Sequence, residues 1–167
     1  MRYSWATISL TALVVCTIGI GVWFSVGMGG RWSDAGDGQP RLPVVQLRQA
    51  PGGPLEVEVA DESDERANGL SGRRGLANDQ GMIFLFTEAR LYPFWMKDMR
   101  FPIDIIYLYE GTVTEVFPSV APPLPGGVPT TVQPTVPADA VLELFAGESA
   151  RRGIEKGVYF QGLPSLR

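Results

Sequence analysis

The stretch from Gly81 to Tyr109 constrains the fold more than any other part of the chain. It reads Gly81-Met82-Ile83-Phe84-Leu85-Phe86, a short connection, Phe94-Trp95-Met96-Lys97-Asp98-Met99, and then Phe101-Pro102-Ile103-Asp104-Ile105-Ile106-Tyr107-Leu108-Tyr109. A short continuous apolar run is the pattern of a strand covered on both faces, and it contributes stability only when buried. Charges set among such runs need partners once they go inside. Lys97, Asp98 and Asp104 therefore mark the first candidate site.

The flanking segments extend the β pattern. Leu42 to Arg48 reads as a strand, Ala50-Pro51-Gly52-Gly53-Pro54 as a turn, and Leu55-Glu56-Val57-Glu58-Val59-Ala60 alternates at period two with Leu55, Val57 and Val59 toward the core. Asp61 to Glu65 supplies caps and first-turn acids for a short helix through Arg66, Ala67 and Leu70. Glu110-Gly111 turns Ile103–Tyr109 back into Thr112–Phe117 as a hairpin. Prolines at 118, 122, 123, 125, 129, 134 and 137 make residues 118–138 a long surface loop. Ala140 to Ala146 is a further strand, followed by one or two helical turns. The expected fold is α+β, mainly β: a compact, barrel-like closed sheet of short antiparallel hairpins with one or two short helices.

Before this domain the chain changes character. No charged residue occurs between Arg2 and Arg31, and Trp5 to Met28 is apolar or small throughout. That length suits a transmembrane helix, which needs about 20 such residues. Tyr3, Trp5, Trp23 and Trp32 stand where interfacial anchors would. The expected organisation is a tail at 1–4, a transmembrane signal anchor at 5–28, a flexible tether at 29–41 and a β-rich domain at 42–167. This single-pass arrangement holds the domain to the membrane, outside the cytoplasm. The alternative is a cleaved signal peptide and secretion, although the run exceeds the usual ~7–15 residues of a signal core.

Composition removes several chemistries. The chain has no His, and Cys16 is its one cysteine, inside the apolar run. Ser-His-Asp catalysis, a cysteine nucleophile in the domain, an internal disulfide and a thiolate zinc site are excluded. The net charge of −4, without a Lys/Arg-rich run, speaks against a nucleic-acid partner.

The ordered motifs Val57-Glu58-Val59-Ala60, Glu65-Arg66-Ala67 with Gly69-Leu70 and Arg73, Leu76, Gly81–Phe86, Phe94-Trp95-Met96-Lys97, Pro102–Ile106 and Val141-Leu142-Glu143-Leu144 with Ala146-Gly147 resemble the domain of unknown function 192 family. The resemblance runs from about Leu55 to Gly162. It implies a compact β-rich fold, frequently exported or membrane-anchored in bacteria and archaea, and no established activity. This chain departs from the family at Ser71, often Met there, and at Asp98-Met99, often Asn-Thr.

The residues themselves suggest a small polar pocket built from Arg73, Trp95, Lys97, Asp98, Asp104 and Glu143, serving a binding or accessory module for a small molecule or protein. One alternative is a hydrolase-like enzyme using Asp104 and Glu143 as an acid/base pair. Another is a structural or interaction module in which Arg–carboxylate pairs only fix the fold. Met82, Met96 and Met99 could offer thioethers to Cu(I), but methionine is ordinarily core filler, and no metal or cofactor is expected.

Overall fold

The computed structural model describes residues 41–48 and 50–164. The segment 5–28 read as a membrane anchor lies outside the described residues, as does the tether up to residue 40. Among the described residues no helix is long and apolar enough to cross a membrane. The expected transmembrane helix is therefore not part of the described fold.

In chain order the elements are β1 (Val44–Leu47), β2 (Leu55–Ala60), α1 (Ser63–Asn68), β3 (Gln80–Arg90), β4 (Phe94–Trp95), β5 (Ile103–Tyr109), β6 (Thr112–Val120), β7 (Thr131–Val132), β8 (Ala138–Phe145) and α2 (Glu148–Arg152). β1 and β2 form the antiparallel hairpin that the alternation suggested. Its turn needs glycine at 52, where φ is +73° and an added Cβ would lie 2.7 Å from the Arg152 Cα of α2. The Glu65 carboxylate reaches back to the N–H groups of Asp61 (3.0 Å) and Glu62 (3.1 Å), fastening the start of α1.

α1 then acts as a crossover. β2 and β3 pair in parallel, from Glu56 opposite Gln80 to Ala60 opposite Phe84, and such a pair requires an intervening connection of this kind. β8 inserts between β3 and β5, antiparallel to both. β6 follows β5 through the expected hairpin. The result is one mixed sheet in the order β1-β2-β3-β8-β5-β6, with β4 and β7 forming a separate two-stranded ribbon.

This corrects the expected closed barrel. The sheet is open, β1 and β6 are its edges, and the two apolar runs of Gly81–Tyr109 are not neighbours because β8 separates them. The start of the β6 edge is covered without closure. Val113 donates to the Val158 carbonyl (2.8 Å), Gly157 to Val113 (2.8 Å) and Phe160 to Gly111 (2.8 Å). The proline-rich loop is also shorter than expected, since β6 runs through Pro118 to Val120 and β7 and β8 reclaim residues beyond it. An edge strand tolerates a proline that an interior one would not.

Two cores cover the two sheet faces. Val57, Val59, Ile83, Leu85, Ile106, Leu108, Leu142 and Leu144 pack on one face with Leu47, Ile154 and Phe160. Met82, Phe84, Ile103, Ile105, Tyr107 and Val141 pack on the other with Leu70, Met96, Met99 and Phe101. The three methionines weighed as a metal site are thus filling for this second core.

Candidate functional site

On the second face Glu58, Met82, Glu143 and Ile105 stand side by side across β2, β3, β8 and β5. Two carboxyl groups on an apolar face require compensation. Glu58 has it. Arg73, from the turn after α1, donates through Nη1 to Oε1 (2.5 Å) and through Nη2 to Oε2 (2.8 Å), a bidentate ion pair with both partners buried. The Leu42 N–H adds a third bond at 3.2 Å. Arg73 Nε is buried and without a hydrogen-bond partner among the described residues.

Glu143 is held differently. It is 5% exposed, yet no donor among the described residues reaches its carboxyl. Burial pushes its pKa up to about 8, with the Arg73 charge opposing only in part. Near pH 7 the group is mainly the uncharged acid, able to donate one hydrogen bond and accept others. Burial, with the Glu143 and Glu115 charges, also raises the Tyr107 phenol on the same face, whose hydroxyl donates to the Tyr92 carbonyl (3.0 Å).

Glu143 lines a cavity of about 30 Å³ that opens between the end of α1 and the ribbon. That is room for roughly two water-sized groups. Phe84, Phe94 and Trp95 form aromatic walls, with Leu70 and Met99 between them and Arg66 at the α1 side. The Phe94 ring meets Phe84 edge-on at 5.0 Å and Tyr107 at 5.9 Å, which fixes the wall. Arg66 lies over the Phe86 ring (5.4 Å) and donates Nη1 to the carbonyls of Asp61 and Leu85.

The rim is tied together by backbone contacts. Ser71 Oγ donates to the Lys97 carbonyl (2.9 Å), and the Gly72 N–H donates to the Asp98 carbonyl (2.8 Å). Asp98 has a left-handed backbone, φ +56°, which Asp tolerates better than most residues. Asn68, Ser71, Asp98 and Arg100 line an open trough beside the cavity.

The model of domain of unknown function 192, described as an uncharacterized ACR, matches residues 45–161. The chain belongs to the domain of unknown function 192 family. No curated protein matches it. A crystal structure from Sinorhizobium meliloti 1021, described as a proposed transcription regulator, is 29% identical with a TM-score of 0.61, covering 71% of this chain and 93% of that one. A protein of unknown function from Novosphingobium aromaticivorans DSM 12444 is likewise 29% identical with a TM-score of 0.61, covering 77% and 96%.

Within this family domain the six candidate residues separate into three groups. Arg73 and Glu143 are buried on one face and interact electrostatically. Trp95 lines the Glu143 cavity while remaining 55% exposed; the Lys97 ammonium sits 5.3 Å from its ring, and Asp98 borders the adjoining trough. Asp104 belongs elsewhere. It pairs with Leu144 in register, and so faces the first core. There its carboxylate accepts from the N–H groups of Ser119 (2.8 Å), Gly147 (3.1 Å) and Ser149 (2.8 Å) and from Ser149 Oγ (2.7 Å). Asp104 and Glu143 stand on opposite sides of the sheet and cannot share a substrate as an acid/base pair.

Two contributors escape the sequence reading. Glu58 reads there as an outward-facing acid of an alternating strand, although it is buried against Arg73. The available signal was the strand–helix–strand order, which makes β2 a parallel partner of β3 and covers both its faces. Phe84 reads only as core, and gives no sign that one side of its ring borders a cavity.

Proposed function

We propose that the domain is a small-molecule binding module whose site is the cleft floored by Glu143 and walled by Phe84, Phe94 and Trp95. One observation carries this reading: a nearly fully buried carboxyl that borders a cavity and has no hydrogen-bond partner among the described residues. A ligand in the cavity can supply the hydrogen bonds that the protein leaves unmade there. The chargeless run 5–28 supports a membrane-held domain. The description of the Sinorhizobium neighbour as a proposed transcription regulator finds no support in this chain, with its net charge of −4 and no basic run.

The test is a fragment screen by ligand-detected NMR on the full chain in detergent. It is repeated on Asn68→Trp, which places an indole at the cavity rim. Fragments that bind the native chain and lose binding in the variant support the cleft. Binding untouched by the variant, or no binding to the folded chain, contradicts it and favours a structural module.

A further inference from the structure

The groups around the cleft narrow what can enter it. Arg73 is held by its bidentate pair with Glu58, which Arg41 also approaches at 3.7 Å, and its charge acts on Glu143 from within the same sheet face. Tyr107 faces Glu143 from β5 as a neutral phenol whose hydroxyl is occupied by the Tyr92 carbonyl. Arg66 is different. It borders the cavity, its Nη1 is bonded only to carbonyls, and it makes no ion pair among the described residues. Lys97 lies outside over Trp95 and also makes no ion pair among the described residues, while Asp98 and Arg100 flank the neighbouring trough with opposite charges. The cleft thus combines a buried carboxyl with a cation at its wall and apolar rings.

An ammonium group entering here would approach Arg66 and require an ionised acid in an apolar site. An oxygen anion would be drawn by Arg66 and would accept a hydrogen bond from the acid, an O–H···O⁻ contact of the strong, charge-assisted kind. The cavity of about 30 Å³ admits a head group the size of a carboxylate, and the aromatic walls suit a short apolar stem behind it.

Building on the cleft reading above, we infer that the site takes small monocarboxylates head-first, with Glu143 donating its proton in a hydrogen bond to the ligand oxygen and Arg66 supplying the opposing charge. No proton leaves the protein, so the complex forms only with Glu143 in its acid form.

The experiment uses the full chain in detergent with three probes of matched size: propionate, propionamide and ethylammonium. Affinities are measured by saturation-transfer NMR at pH 6.5 and pH 9. Propionate should bind best at pH 6.5 and weaken about tenfold by pH 9 as Glu143 ionises. Glu143→Gln still donates, from its amide, so it should keep propionate binding and lose that pH dependence. Arg66→Gln should weaken propionate and spare propionamide, while Arg66→Lys, which keeps the charge, should retain both. Circular dichroism establishes that each variant is folded. Ethylammonium binding that strengthens toward pH 9, or propionate binding indifferent to pH and to Arg66→Gln, overturns the carboxylate class but leaves the cleft as a binding site. Failure of all three probes to bind the folded native chain overturns both.

Discussion

Glu58 and Glu143 flank Met82 on one sheet face, but only Glu58 is gripped by a guanidinium. Removing that grip should be costly. Arg73→Met would leave the buried Glu58 carboxylate with only the Leu42 N–H and the more distant Arg41 guanidinium (3.7 Å), a loss of about 3 kcal/mol in a urea melt at neutral pH. Adding Glu58→Gln to that variant should recover much of the loss, and a double variant no better than the single one would contradict the pairing. Glu143 has the opposite linkage. Its pKa is raised from 4.5 in the unfolded chain to about 8 in the folded one, so the native state binds more protons between those values. Its contribution to stability therefore falls as pH rises through that window, by up to about 1.4 kcal/mol per pH unit. Glu143→Gln removes this term. The stability difference between the variant and the native chain should move in the variant's favour from pH 5 to pH 8, and a pH-independent difference would contradict the raised pKa.

At the scale of elements, the site depends on how closely β3 and β8 approach. A Cβ at Gly81 would lie 2.8 Å from Leu144 Cδ2 and 2.9 Å from the Glu143 carbonyl oxygen. Gly81→Ala should therefore push these strands apart beside Glu143 and destabilise the domain by about 1–3 kcal/mol, measured as a lowered urea midpoint. On the other face, Asp104 joins three elements by accepting bonds from Ser119 at the end of β6 and from Gly147 and Ser149 at the start of α2. Asp104→Asn keeps the shape but exchanges one acceptor oxygen for a donor. It should cost about 2 kcal/mol and raise hydrogen exchange at Ser119 and Ser149. Because Asp104 does not face the cleft, fragment binding should survive in the folded fraction. A loss of binding at full stability would contradict the separation of the two faces.

At the scale of the whole molecule, much of the local structure was legible in the sequence. The period-two segment, the apolar runs and the Glu110-Gly111 turn correspond to β1–β2, β3, and β5–β6. The connectivity was not legible. Hairpins can be read from a turn between two strands, whereas placing β8 between β3 and β5 rests on contacts between residues 32 or more apart in the chain, such as Ile105 with Glu143, 38 apart. An expectation built from hairpins alone therefore closed a sheet that is open. The same gap decided the site. Asp104 and Glu143 both read as acids within apolar strands, and only the register shows that one caps a helix while the other borders a cavity. The division of labour between the faces, a structural acid on one and a neutral, cavity-facing acid on the other, is the central claim. Its most direct test is a ¹³C-carboxyl NMR titration of the folded chain, with Glu143 assigned by comparison with Glu143→Gln. The account predicts a midpoint near pH 8. A midpoint near 4.5, the ordinary value for a glutamate, would contradict it.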